Sequence, residues 1–261
     1  MQATTIDEVL ARLEAIIADC AKTNNRAGYF AALYYKVTAS VKDGIQKGQF
    51  QDGKRMENLD VIFANRFLTA YDQWKNNTKA TGSWMVAFDA TKRSSVLVLQ
   101  HLLLGMNAHI NLDLGIAAAE VTKGQDLQNI HNDFDSINSV ISALTYQVIS
   151  ELDRISPLLS LMGLHATNYN SILIQFSIGN ARDGAWCFAE ELASKTGNDY
   201  DNCISDRDKN IAQLGQSLIH ANFLLRITLW VIHLFEWKKP SKIITALNQY
   251  KKTYMKMADI Q

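Results

Sequence analysis

Apolar residues along this chain recur every three to four positions, in stretches separated by short polar interruptions, and strict period-two alternation is hard to find. That pattern predicts helices throughout. Thr5 is placed to cap a first helix running to about Ala21, and a second covers Arg26 to Ile45. A Gly/Gln-rich loop from Gly44 to Gly53 precedes a third helix over Lys54 to Lys75, which ends in the loop Asn76 to Gly82. The segment Val96 to Val121 comes next, and it is apolar at nearly every helical phase, with Gly105 and Gly115 as candidate breaks. A turn at Thr122 to Asp126 leads into a helix from Leu127 to Ile155 that Pro157 stops. Further helices are expected over Asn168 to Lys195, Asp208 to Trp237 and Pro240 to Met257, with a polar loop from Thr196 to Asp206. The expectation is an all-α, single-domain bundle of about seven to nine helices spanning residues 1–261.

Val96 to Val121 is the most informative stretch. A helix that is apolar all round is enclosed by protein, and ionisable side chains on it are costly unless paired, hydrogen-bonded or bound to metal. It nevertheless carries His101, His109, Asp113 and Glu120. His109 and Asp113 lie one turn apart, His101 lies roughly 80° from His109, and Glu120 follows two turns after Asp113 on the same flank. The next helix repeats the spacing with His131 and Asp135, beside the stripe Ile130, Phe134, Ile137, Ile141 and Val148. Two helices joined by so short a turn are expected to be neighbours, with their His-x-x-x-Asp pairs facing each other. Imidazole and carboxylate ligands on facing helices suit zinc or iron, and a zinc-bound water is a hydroxide source near neutral pH. The candidate ligands are His101, His109, Asp113, His131 and Asp135, with Asp113 or Asp135 as general base. Asp60, Arg182 and Trp186 are candidates for contacting substrate, Arg182 being suited to an anionic one. The competing reading is that these pairs support their helices as hydrogen bonds, with Asn107 and Asn111 as satisfied buried amides. His220 and His233 read as core histidines, and Arg226 as a buried arginine with an acidic partner.

Composition narrows the classes. Lys plus Arg number 26, equal to Asp plus Glu, so nothing suggests a nucleic-acid footprint. Three scattered cysteines make neither a disulfide framework nor a C-x-x-C zinc site. The first residues lack the basic-then-apolar order of a signal peptide, which points to the cytoplasm. Leu218 to Phe235 approaches bilayer-spanning length but contains His220, Asn222, Arg226 and His233, so it is expected to be a buried core helix and not a membrane span. Oligomeric state is not legible. No P-loop, dinucleotide fingerprint or Gly-x-Ser-x-Gly occurs.

The segment GMNAHINLDLGIA (Gly105 to Ala117), following LQHLLL, resembles a helical family known as domain of unknown function 5995, as do Leu59 to Trp74 and Gly179 to Ala189. That resemblance implies an all-α fold and no established activity. His109, Asp113, His131 and Asp135 are more distantly similar to the zinc-dependent phospholipase C and P1-type nuclease group. This chain departs from that group's pattern in its N-terminus and its few histidines. Two readings follow: a metal-dependent hydrolase, with a non-haem iron oxidoreductase as its redox variant, or a non-catalytic small-molecule binder or scaffold with a buried His/Asp network.

Overall fold

The computed structural model describes residues 2–161, 178–220 and 223–249, and within them every regular element is helical. The order is α1 (Ile6–Thr23), α2 (Gly28–Gln46), α3 (Gly53–Lys75), α4 (Gly82–Ala90) and α5 (Val98–Ala108). A π-helical segment (His109–Leu114) continues directly into α6 (Gly115–Val121), followed by α7 (His131–Ile155). Then come α8 (Ile178–Ala193), α9 (Gly197–Ile219), α10 (Phe223–Phe235) and α11 (Pro240–Asn248). Eleven α-helical segments among the described residues exceed the seven to nine expected from the pattern.

The extra elements have physical causes. The short helix α4 is invisible to periodicity because it is buried on several sides, with Ser83, Trp84, Ala87, Phe88 and Ala90 all enclosed. Its first N–H groups are capped from a distance by Asp208, which accepts from Gly82 at 2.6 Å and Ser83 at 2.9 Å. The expected loop at Thr196 to Asp206 is instead the first half of α9. Its polar composition belongs to a helix that buries only Ile211, Gly215 and Leu218 along one narrow stripe in its second half. The single long helix expected over Asp208 to Trp237 is two, since α9 ends at Ile219 and α10 begins at Phe223.

The rod from α5 through α6 is the central strut. By length and apolarity Val98–Val121 could cross a bilayer, but most of it is buried inside the protein. Neither glycine breaks it. A Cβ on Gly105 would stand 2.4 Å from the Phe30 ring, and one on Gly115 would stand 2.7 Å from the Ala185 carbonyl. Both glycines therefore allow neighbouring helices to come close. Helices α2, α4 and α9 pack on α5, while α3 and α8 pack on α6. Asn107 donates to the Ile211 carbonyl at 2.8 Å and Asn111 donates to Asn107 at 3.1 Å, tying the rod to α9.

The Leu218–Phe235 region is not a buried core helix. Helix α10 buries Leu225, Leu229 and Ile232, while Trp230 and Phe235 are each 61% exposed. Arg226 is exposed, so it is not the buried arginine expected. His220 is also exposed, its Nδ1 2.9 Å from the Gln216 carbonyl, and His233 is half-buried 4.0 Å from Glu236. His165, the first part of the helix expected from Asn168, and the chain beyond Gln249 lie outside the described residues.

Candidate functional site

The site begins where α5 widens into the π segment His109–Leu114. Residues four apart share a face of the rod, and His109 Nδ1 stands 3.3 Å from Asp113 Oδ2. The segment is anchored from outside: Arg207 on α9 donates to the Asn111 carbonyl at 3.0 Å.

Every lone-pair direction that matters on Asp113 is occupied. Arg66 Nε donates to Oδ1 at 2.8 Å, and Trp84 Nε1 and His109 both address Oδ2, the tryptophan at 2.8 Å. Burial alone would raise this carboxyl, but the Arg66 charge and the two hydrogen bonds outweigh it and hold it below its ordinary 3.8. Asp113 is therefore ionised. A ring nitrogen facing an ionised carboxylate carries the proton, so His109 is Nδ1–H and its Nε2 is a bare lone pair. Burial also drives the imidazole toward its neutral form, lowering its pKa despite the attraction of Asp113.

The His109 ring is held by aromatics. Phe63 stacks on it with centroids 3.6 Å apart and planes within 8°, and Tyr34 meets it edge-on at 4.4 Å. On the side away from Asp113 lies a cavity of about 180 Å³ walled by α2, α3, α5 and α7. Its lining is almost wholly apolar, including Val37, Leu102, Ile137 and Val148, and it reaches Ile149, which is 50% exposed. Among the described residues Tyr34, Asp60, His109 and Arg182 are the polar side chains in that wall, turning mainly their apolar atoms to the cavity.

Each of the four has a buried atom with no hydrogen-bond partner, Tyr34 Oη, Asp60 Oδ2, His109 Nε2 and Arg182 Nε, and these atoms are sealed behind the apolar cavity surface. Thr38 Oγ1, one turn beyond Tyr34, is a further buried oxygen of this kind. Asp60 is 4% exposed, and burial, aided by Glu57, pushes its pKa up to about 7. Tyr34 is pushed well above its usual 10 by burial. Arg182 is partly satisfied: it donates to the Phe134 carbonyl and lies 4.3 Å over the Phe134 ring, though its Nε has no partner.

The structure brings together some expected site residues and separates others. His109 and Asp113 form one unit, and Asp60 and Arg182 line the cavity beside it. His131 and Asp135 also pair at 3.3 Å, but their side chains are 42% and 55% exposed. They do not face His109 and Asp113, because α7 turns its apolar stripe inward and packs on α2 and α11, while α8 lies along α6. Trp186 is buried beneath them, edge-on to His131 and donating to Glu190 at 3.0 Å. His101 is buried apart, edge-on to Tyr29, with neither nitrogen partnered and its pKa pushed down to about 3 by burial and then Arg26. Glu120, 43% exposed, touches the network only through Arg66 at 4.0 Å. Among the described residues no three His, Cys, Asp or Glu side chains converge as a metal-ligand group.

The sequence matches the Family of unknown function (DUF5995) over residues 6–221. The chain belongs to this family. No curated protein and no solved structure matches it, and the more distant similarity to the zinc-dependent phospholipase group finds no support. The DUF5995 match takes in the whole Arg66–Asp113–His109 network, Trp84, Tyr34, Asp60 and Arg182. Three residues around His109 and Asp113 were not singled out from sequence: Phe63, Arg66 and Trp84. Arg66 had a readable signal, a lone cation one turn from Phe63 and beside Phe67 on an aromatic helix face. Trp84 had none, because it acts from a helix that the pattern did not show.

Proposed function

We propose that this protein binds a compact apolar small molecule in the cavity beside His109. The carrying observation is the cavity itself, an apolar hollow walled by α2, α3, α5 and α7 that reaches the exposed Ile149. Small-molecule sites are commonly concave and lined mainly by hydrophobic and aromatic side chains. A volume of about 180 Å³ suits a ligand of monocyclic or medium-chain size, comparable to dry cavities that take up benzene. The Asp113–His109 pair supports this reading as a fixed network, since it locks one imidazole orientation in the cavity wall.

The test is thermal unfolding with octane, octan-1-ol and octanoate, in wild type and in Val148→Phe, which fills the cavity from α7. Stabilisation of wild type by at least one of the three, lost in Val148→Phe, is expected. If none of them stabilises wild type, the proposal fails.

A metal-dependent hydrolase is the second reading, and the specific observation favouring it is the carboxylate behind His109. Metal-binding histidines are commonly oriented this way, with the other nitrogen free to ligate. Stoichiometric zinc or iron in the purified protein, lost in His109→Ala, would favour that reading over the first.

A further inference from the structure

Among the described residues five large apolar side chains are exposed, and four of them project from α10. Ile227 is 45% exposed, Leu234 52%, and Trp230 and Phe235 61% each. On a 3.6-residue period Ile227, Trp230 and Leu234 fall within about 60° of one another, and Phe235 flanks them. The buried stripe of the same helix, Leu225, Leu229 and Ile232, lies on the opposite side and clusters with Leu97. Helix α10 is therefore apolar on two faces, and the protein covers one. Helices apolar all round are ordinarily enclosed, and contiguous exposed apolar patches mark interaction surfaces.

The charges around the open face are mostly of one sign. Between Phe223 and Gln249 the cations are Arg226, Lys238, Lys239 and Lys242, all exposed. The one carboxylate in that stretch, Glu236, is turned inward, where it accepts from the Val98 N–H and the Ser156 hydroxyl. Arg226 precedes the apolar face and Lys238 and Lys239 follow it, so cations bracket it along the chain. Lys238 donates to the His233 carbonyl and Lys242 lies 4.1 Å over the Trp237 ring, which keeps both near the end of α10. The end of α7 joins this region where the Trp237 N–H donates to the Ile155 carbonyl. It adds Glu151 and Asp153 against Arg154 and leaves a positive excess.

We infer that α10 docks this protein on an anionic lipid bilayer surface. Ile227, Trp230, Leu234 and Phe235 enter the boundary between headgroups and acyl chains, and the cations meet the anionic headgroups. Interfacial helices bind through just these two contributions, buried apolar area and attraction to anionic lipid, with tryptophan at headgroup level. Helix α10 has 13 residues and is about 20 Å long, short of a bilayer's hydrocarbon core, so it lies along the surface. A second copy of this chain fits less well, because a two-fold contact through this face would set the same cation cluster against itself.

Co-sedimentation of the full chain with vesicles tests this, using phosphatidylcholine alone and phosphatidylcholine mixed equally with phosphatidylserine. Wild type should bind the mixed vesicles at least about tenfold more tightly than the neutral ones, since each cation near a charged surface contributes severalfold. Arg226→Gln with Lys239→Gln should weaken that binding roughly twentyfold and reduce its salt sensitivity. Trp230→Ser with Leu234→Ser should weaken it by about tenfold or more, through lost apolar burial. Trp230→Phe, which keeps an apolar ring, should bind as wild type does while losing most of the blue shift in tryptophan emission that the mixed vesicles produce. No binding to the mixed vesicles, or undiminished binding after Trp230→Ser with Leu234→Ser, overturns the inference. So does a dimer in analytical ultracentrifugation that Trp230→Ser with Leu234→Ser abolishes, or binding to polyglutamate in preference to the mixed vesicles.

Discussion

The two His-x-x-x-Asp pairs have identical spacing and nearly identical separations, 3.3 Å in each case, yet the protein treats them oppositely. His109 and Asp113 are 3% and 1% exposed, whereas His131 and Asp135 are 42% and 55% exposed. What differs is the surroundings. The inner pair lies in a π segment whose carboxylate is shared among Arg66, Trp84 and the imidazole, so each partner fixes the others. The outer pair is a surface contact, screened by solvent and free to exchange it for water. A motif of this length is therefore a statement about helix geometry, and its chemistry is decided by what packs around it.

The largest effect should come from Arg66→Met. It leaves the Asp113 charge buried without its main partner, and urea unfolding should show a loss of roughly 3–5 kcal/mol. A loss below about 1 kcal/mol would mean that the inner pair does not depend on its surroundings.

Asp60 gives the next effect, because it is the inner carboxylate without a cation. Its folded pKa of about 7 lies above the ordinary 3.8, so its contribution is fully present below the unfolded value and is lost as pH rises through 7. Wild-type stability should fall between about pH 4 and pH 8 by on the order of 4 kcal/mol from this group. Asp60→Asn should flatten that slope, as followed by denaturation at a series of pH values. Trp84→Phe should cost less, about 1.5–3 kcal/mol, by removing one hydrogen bond to a charged acceptor. His131→Ala should be smallest, within about 0.5 kcal/mol, since its pair is exposed. A larger cost for His131→Ala than for Trp84→Phe would reverse the comparison.

Part of this was readable from the chain. The enclosed central helix follows from apolar residues at all phases of Val98–Val121, and the burial of His109 and Asp113 follows from that. The inward stripe of α7 was also visible in the spacing of Phe134, Ile137 and Ile141. What could not be read was which helices surround the rod. A short connection between the rod and α7 suggested that their polar pairs would meet, but α7 presents its apolar side. The partners of Asp113 arrive from α3 and α4, 47 and 29 residues away in sequence. Helix α4 carries no period because it is buried on several sides, and the start of α9 looked like a loop because it buries so little. Gly105 and Gly115 looked like breaks for a similar reason: a glycine that admits Phe30 or the Ala185 carbonyl cannot be told locally from one that ends a helix.

The central claim is that His109 is a neutral imidazole, protonated on Nδ1 toward Asp113, with a bare and buried Nε2. Nitrogen-15 NMR of the histidine side chains, assigned by His109→Gln, reads both ring nitrogens directly. The account predicts the Nδ1–H tautomer at pH 7.5, with no conversion of His109 to the cation as pH falls through its ordinary 6.5. An Nε2–H tautomer, or an imidazolium at pH 6.5, would contradict it.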